Sequence, residues 1–229
     1  GAAGHDGAPG PSTFGPPGPS DAEVRRAMDL LTRATSRAQW MSIYSLFPWE
    51  DRRGADAALD DSLAAALRAW AGVDAEARAR VAYTFGLDGE PWQPDLVLQR
   101  YELLWEAGLV AESAGSAHPA TGRPMVHDHR RILATALGRL RGKLKYRPVL
   151  FDLMPEAFTL SDLQTAAEAV SGLALHKQNF RRGVERTGLV APTGRMSSAT
   201  GGRPAELYRF RGLDPQDGSA PGLSLPAQR

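Results

Sequence analysis

The chain has 229 residues, 42% of them hydrophobic and 23% charged, and contains no cysteine. That length holds one large domain or two small ones, and the missing thiols exclude a disulfide framework, a thiolate metal site and a cysteine nucleophile. A net charge of +1 conceals an uneven spread: residues 1–128 carry eleven Lys/Arg against eighteen Asp/Glu, residues 129–211 fifteen against six. A step of that size between adjoining segments points to a polyanion-binding part beside a part with another task.

The chain opens on Gly1 rather than Met, as expected of a processed chain or a piece of a longer protein. No apolar run is long enough to span a bilayer, and the first residues lack the basic-then-apolar order of a secretion signal. A soluble protein of the cytoplasm is the expectation.

Residues 1–20, "GAAGHDGAPGPSTFGPPGPS", cannot bury enough surface to offset their ordering entropy and read as disordered. "SDAEVRRAMDLLTRATSRAQWMSIYSLF" has helical spacing, with Ser20 as N-cap and Glu23 three residues on. "FPWEDRRG" is a turn marked by Pro48. In "ALDDSLAAALRAWAG", Leu59, Leu63, Leu67 and Trp70 recur at helical spacing up to Gly72. "RVAYTFGLDG" is expected as a short strand. "PDLVLQRYELLWEAGLV" is a helix with Leu96, Val97, Tyr101, Leu103 and Leu104 inward and Gly108 at its end. A polar loop, residues 111–128, closes this mainly helical region of residues 21–128.

"HRRILATALGRLRGKL" places Leu133, Leu137, Leu140 and Leu144 on one stripe, with Arg130, Arg131, Arg139, Arg141, Lys143 and Lys145 on the solvated flanks. "VLFDLMPEAF" is a short buried piece that turns at Pro155. "TLSDLQTAAEAVSG" opens with a capping-box pattern, Thr159 and Asp162, and buries Leu160, Leu163, Ala167 and Val170. A few residues later "HKQNFRRGVERTG" begins. With Phe180 and Val184 inward, a turn of a hundred degrees per residue aims Arg182 away from the core. Gln178 and Glu185 flank it on one side, Asn179 and Arg186 on the other, and Lys177 and Arg181 sit at the rim. Arg pairs bidentately with guanine, and Asn or Gln with adenine, in the major groove. "RMSSATGGRP" then forms a basic, glycine-rich tip carrying Arg195 and Arg203, and Leu207–Phe210 alternate as a strand. Helix, short turn, basic helix and hairpin in series are the order of a winged helix-turn-helix spanning residues 129–211. Residues 212–229 are a flexible tail. The fold class is α+β, mainly α.

"YELLWEAGL" shares Glu102, Leu103, Glu106, Gly108 and Leu109 with the end of a Nudix hydrolase box. Tyr101 and Trp105 replace its arginine and one carboxylate, and Leu87 and Gln93 fall where its upstream glycine and glutamate belong. Metal-assisted hydrolysis needs the clustered carboxylates, so no catalytic residue is assigned. His127 and His129, without cysteine or an H-E-x-x-H pattern, read as a helix start rather than a metal site. Trp40, Tyr44, Phe47, Trp49 and Trp70 are expected in the core or lining a ligand pocket.

"DHRRILATALGRLRGKLKYRPVLFDLMPEAFTLSDLQ", "HKQNFRRGVERTGLV" and "TGGRPAELYRFR" closely resemble the DNA-binding part of the Nudix-related transcriptional regulators of NAD metabolism, the NrtR and NadQ type. "YSLFPWEDRRG" and "LQRYELLWEAGLVAES" resemble their middle more loosely. The resemblance implies a winged helix-turn-helix behind a largely helical remnant of a Nudix-like effector region. It also implies a homodimer that binds a palindromic double-stranded operator and represses NAD biosynthesis genes. No cofactor is implied; the effector would be NAD, ADP-ribose or ATP. Lys177, Gln178, Asn179, Arg181, Arg182, Arg186, Arg195 and Arg203 are the DNA-binding candidates. The rival readings are a divergent Nudix-type nucleoside diphosphate hydrolase and a winged helix that binds protein.

Overall fold

The computed structural model describes residues 40–54, 59–197 and 204–212. The chain divides into two compact units, Gly1–Met41 and Ser42–Arg229. Of the first, only Trp40 and Met41 are described, and both are exposed. The glycine- and proline-rich segment 1–20, most of the helix expected from Ser20, the glycine tip with Arg203 and the tail beyond Gly212 lie outside the described residues. Where that expected helix is described, at residues 40–47, the chain is irregular and then forms a single 3-10 turn, Ile43–Ser45.

Local chemistry starts and stops the helices. The Asp60 carboxylate accepts from Leu63 N at 3.0 Å and starts α1, Asp61–Ala71. Asp74 accepts from Glu76 N and Ala77 N and starts α2, Ala75–Phe85, which ends on left-handed Gly86. Such side-chain acceptors satisfy N–H groups that a helix start leaves without partners. The strand expected in "RVAYTFGLDG" is therefore absent: residues 80–85 finish α2. Val81, Thr84 and Phe85 face the core at intervals of a helix face, not the two-residue alternation of a strand.

Next come α3, Val97–Glu106, and α4, His129–Leu144. Gly108 at φ 72° turns the chain out of α3 and lets Leu109 N donate to Leu104 O. Leu46, Phe47, Trp49, Leu63, Leu67, Phe85, Tyr101, Leu103 and Leu104 form a first apolar cluster, to which α4 adds Ala134 and Leu137. Trp40 and Trp70 stand outside it, against expectation; Trp70 is 38% exposed because Leu63, Ala64, Leu67 and Ala71 form the inner face of α1.

A second cluster holds Leu144, Leu150, Phe151, Phe158, Leu163, Phe180, Val184 and Leu189. It lies among the end of α4, the 3-10 turn Val149–Leu153, α5 (Leu160–Ser171), α6 (Lys177–Thr187) and a hairpin of β1 (Val190–Met196) and β2 (Glu206–Phe210). Thr159 and Asp162 make the reciprocal capping box at the head of α5. β1 and β2 run antiparallel with a register shift between Pro192 and Met196, where Gly194 has φ 71°. Tyr208 also exchanges both backbone hydrogen bonds with Phe158. Both polar groups of Tyr208 thus face Phe158, so Pro192, opposite Tyr208 on the edge strand, forfeits no ladder bond.

The two clusters meet at a buried carboxylate. Glu50, fully buried on the 3-10 turn Pro48–Glu50, binds Arg100 of α3 through both oxygens, at 2.6 and 3.0 Å, and Arg141 of α4 through Oε2. Arg141 and Arg130, both expected on solvated flanks of α4, are 2% and 0% exposed. Arg130 is drawn inward by Thr121 O and Arg123 O of the preceding loop, to which it donates, and by the Glu112 carboxylate 3.4 Å away. Removing one member of a buried ionic group strands the others, so Glu50→Ala lowers stability by about 3–5 kcal/mol; urea denaturation measures the loss.

Candidate nucleic-acid interface

α6 is set on its cluster by Phe180 and Val184, 1% and 0% exposed. Everything else follows from that pair. Lys177, Gln178, Asn179, Arg181, Arg182, Glu185 and Arg186 are all exposed, on a helix of eleven residues. Arg195 is exposed on β1, just past Gly194. Seven of the eight candidates therefore lie on the solvent side of α6 and the hairpin; the eighth, Arg203, is outside the described residues. The first turn of α6 has neither an acidic residue nor a side-chain cap.

The cations of this face differ electrostatically from those in front of it. Among the described residues, every ion pair lies at or before Lys145, for example Arg53–Asp51, Arg68–Asp88, Arg80–Glu106 and Lys145–Asp95. No carboxylate is within ion-pairing distance of Lys177, Arg181, Arg182, Arg186 or Arg195 among those residues. Arg186 Nε donates only to Arg182 O, within its own helix.

The elbow between α5 and α6 is held by side chains that sequence reading passed over. Glu168 Oε1 accepts from Leu175 N at 2.9 Å, and Gln164 Nε2 donates to Leu175 O at 2.8 Å and to Glu168 Oε1. Both backbone groups of Leu175 are thus clamped one residue before the helix start at His176. The visible signal was the four-residue spacing of Gln164 and Glu168, which puts them on one face of α5. In the hairpin, Thr193 Oγ1 donates to Leu207 O at the register shift, next to Gly194.

The carboxylates of the partial Nudix box are engaged elsewhere. Glu106 pairs bidentately with Arg80, and Glu102 lies 4.0 Å from Arg131. The rings of His127 and His129 meet edge-on, 6.2 Å apart. Of the aromatic residues considered for a pocket, Trp49 borders a cleft of about 460 Å³ with Pro48, Leu63 and Pro119, while Tyr44 and Phe47 are buried. Among the described residues no helix is long and apolar enough to cross a membrane.

Two close helices, the second with a polar, cationic outer face, followed by a hairpin on the same core, constitute a winged helix-turn-helix. Residues 150–210 match the model of the NrtR DNA-binding winged helix domain, so this part of the chain is similar to that domain. The chain is also 41% identical over 86 residues to the ADPR responsive transcriptional repressor NtrR of Acinetobacter baylyi, a match covering 38% of this chain and 34% of that repressor. It thus spans about a third of the repressor's length. It is 35% identical to Shewanella oneidensis NrtR in two crystal structures. The one complexed with a 27mer DNA matches over 38% of this chain and 40% of that one, with a TM-score of 0.34. The other matches over 38% and 39%, with a TM-score of 0.33.

The elbow clamp yields a direct expectation. Glu168→Ala leaves the Leu175 N–H without its acceptor and lowers stability by about 1–2 kcal/mol, read from urea denaturation, with faster hydrogen exchange at Leu175.

Proposed function

We propose that this protein is a sequence-specific DNA-binding transcriptional repressor of NAD biosynthesis genes. The observation that carries the proposal is the outer face of α6, whose guanidinium and amide groups have no carboxylate partners among the described residues, on a winged helix matched to a DNA-binding family. Gln178, Asn179 and Arg182 contact base edges. Lys177, Arg181, Arg186, Arg195 and Arg203 contact phosphates, which position the protein without specifying sequence. The start of α6, which has no side-chain cap and carries the positive end of the helix dipole, receives a further phosphate.

The protein acts in the cytoplasm as a homodimer on a palindromic operator, each subunit laying one α6 in a major groove. Its effector is an adenine nucleotide, with ADP-ribose the first candidate because the Acinetobacter relative is ADPR responsive. It is not a hydrolase in this reading: Glu106, the carboxylate a Nudix reaction would need for metal, is committed to Arg80.

A duplex selected by the protein from a random pool provides the assay. Arg182→Ala costs about 1–3 kcal/mol on that duplex and relaxes preference at one base pair. Arg195→Ala weakens selected and random duplexes alike and lowers the salt slope by about 1. Gel-shift titrations at several salt concentrations separate the two; equal losses for Arg182→Ala on both duplexes would remove it from base recognition.

A further inference from the structure

The elbow that aims α6 is also held from behind, by residues from the front of the chain. The last carbonyls of a helix have no donors within it, and those of α5 are supplied from elsewhere. Tyr44 Oη donates to Ala169 O at 2.8 Å, Arg141 Nε to Val170 O at 2.9 Å, and Arg52 N to Gly172 O at 2.7 Å. Burial pushes the Tyr44 phenol above its ordinary value, so it stays a protonated donor. Gly172, at φ 75°, lies so close to Glu50 O and the Arg141 guanidinium that a Cβ has no room.

These contacts share one root. Arg141 reaches the end of α5 with Nε and Glu50 with Nη1, and Glu50 in turn holds Arg100 of α3. The hydrogen bond of Tyr44 ends in the last turn of α5, and that of Arg52 on Gly172, where the elbow begins. A path of direct contacts therefore runs from α3 through Glu50 and Arg141 to the pivot of the helix-turn-helix.

We propose that this cluster is a latch through which residues 42–128 set the angle of α6, and so regulate the DNA-binding face; the proposal rests on the DNA-binding reading above. Withdrawing Glu50 leaves the Arg141 charge buried without an anion and loosens its hold on the Val170 carbonyl at the end of α5. Both are costly in a dry interior. The latch is accordingly closed or open rather than graded, because a packed polar cluster has discrete arrangements.

The test uses the full chain, with Tyr44→Phe and Glu50→Gln, the selected duplex, and amide hydrogen exchange. Both variants should speed exchange at Gly172–Leu175 while Phe180 and Val184 keep their protection, and weaken duplex binding about three- to thirtyfold. Glu50→Gln is discriminating by sign: removing a negative charge would by simple electrostatics strengthen binding to a polyanion, whereas an opened latch weakens it. Unchanged affinity, unchanged elbow exchange, or a rise in exchange spread evenly over the second cluster each overturns the latch. If circular dichroism shows Glu50→Gln unfolded, Tyr44→Phe decides alone. If the unaltered protein selects no duplex, the DNA-binding reading fails, and elbow exchange still decides whether the latch exists.

Discussion

The fold depends on how Glu50 is kept charged in a dry place. A buried carboxylate costs several kcal/mol unless charge and hydrogen bonds around it are complete, and here two guanidiniums meet it. Their spare donors reach backbone carbonyls: Arg100 those of Thr84, Gln93 and Pro94, Arg141 those of Pro94 and Val170. Those carbonyls lie near the end of α2, ahead of α3 and at the end of α5. The two helix ends leave C=O groups without helical partners, whereas Gln93 O ahead of α3 also accepts from Leu96 N. One ionic cluster therefore neutralises its own charge and supplies donors to two helix ends and to the loop ahead of α3, and it does so where the two apolar clusters adjoin.

This use of arginine explains the charge asymmetry better than composition does. In front of Lys145, arginines such as Arg80, Arg100 and Arg141 serve carboxylates, and Arg52 and Arg100 also lie over the Trp92 ring. Behind it, the cations of α6 and β1 have no such partners among the described residues. Unpaired cations on one face add their fields instead of cancelling them, raising the local concentration of a polyanion and speeding its approach. Two of the arginines counted in the net +9 of residues 129–211, Arg130 and Arg141, are buried against Glu112 and Glu50, and the cations of α6 and β1 lie in the later part of that segment.

Helices closed by local signals were legible in the sequence. The capping box at Thr159, the apolar pair Phe180 and Val184, and the glycine ends at Gly72, Gly108 and Gly172 act within a turn or two of themselves, so residue type and spacing contain them. That places the candidate face of α6, since only one inner stripe is available. What escaped reading is long-range. Arg130 and Arg141 sit on the flank of an apolar stripe, where spacing predicts solvent, and are pulled inward by carbonyls and a carboxylate as many as 91 residues away. Residues 80–85 have strand-like composition, yet Asp74 had already started a helix there. The Gln164–Glu168 clamp needed the path of the elbow, which no local pattern supplies.

The hairpin completes the same logic from the opposite end of α5. Phe158 pairs with Tyr208 of β2 immediately before the capping residue Thr159, and Phe151 stacks on Phe210 with ring centroids 4.5 Å apart. The start of α5 is thus tied to the hairpin, and its end to Tyr44, Arg141 and Arg52. A helix fixed at both ends has little freedom to absorb a displacement internally. A shift at its C-terminal anchor must therefore pass to the elbow, where α6 follows Gly172 after only four intervening residues. The second helix of the pair owes its angle to the first, and the first owes its position to the hairpin at one end and to Tyr44, Arg52 and Arg141 at the other.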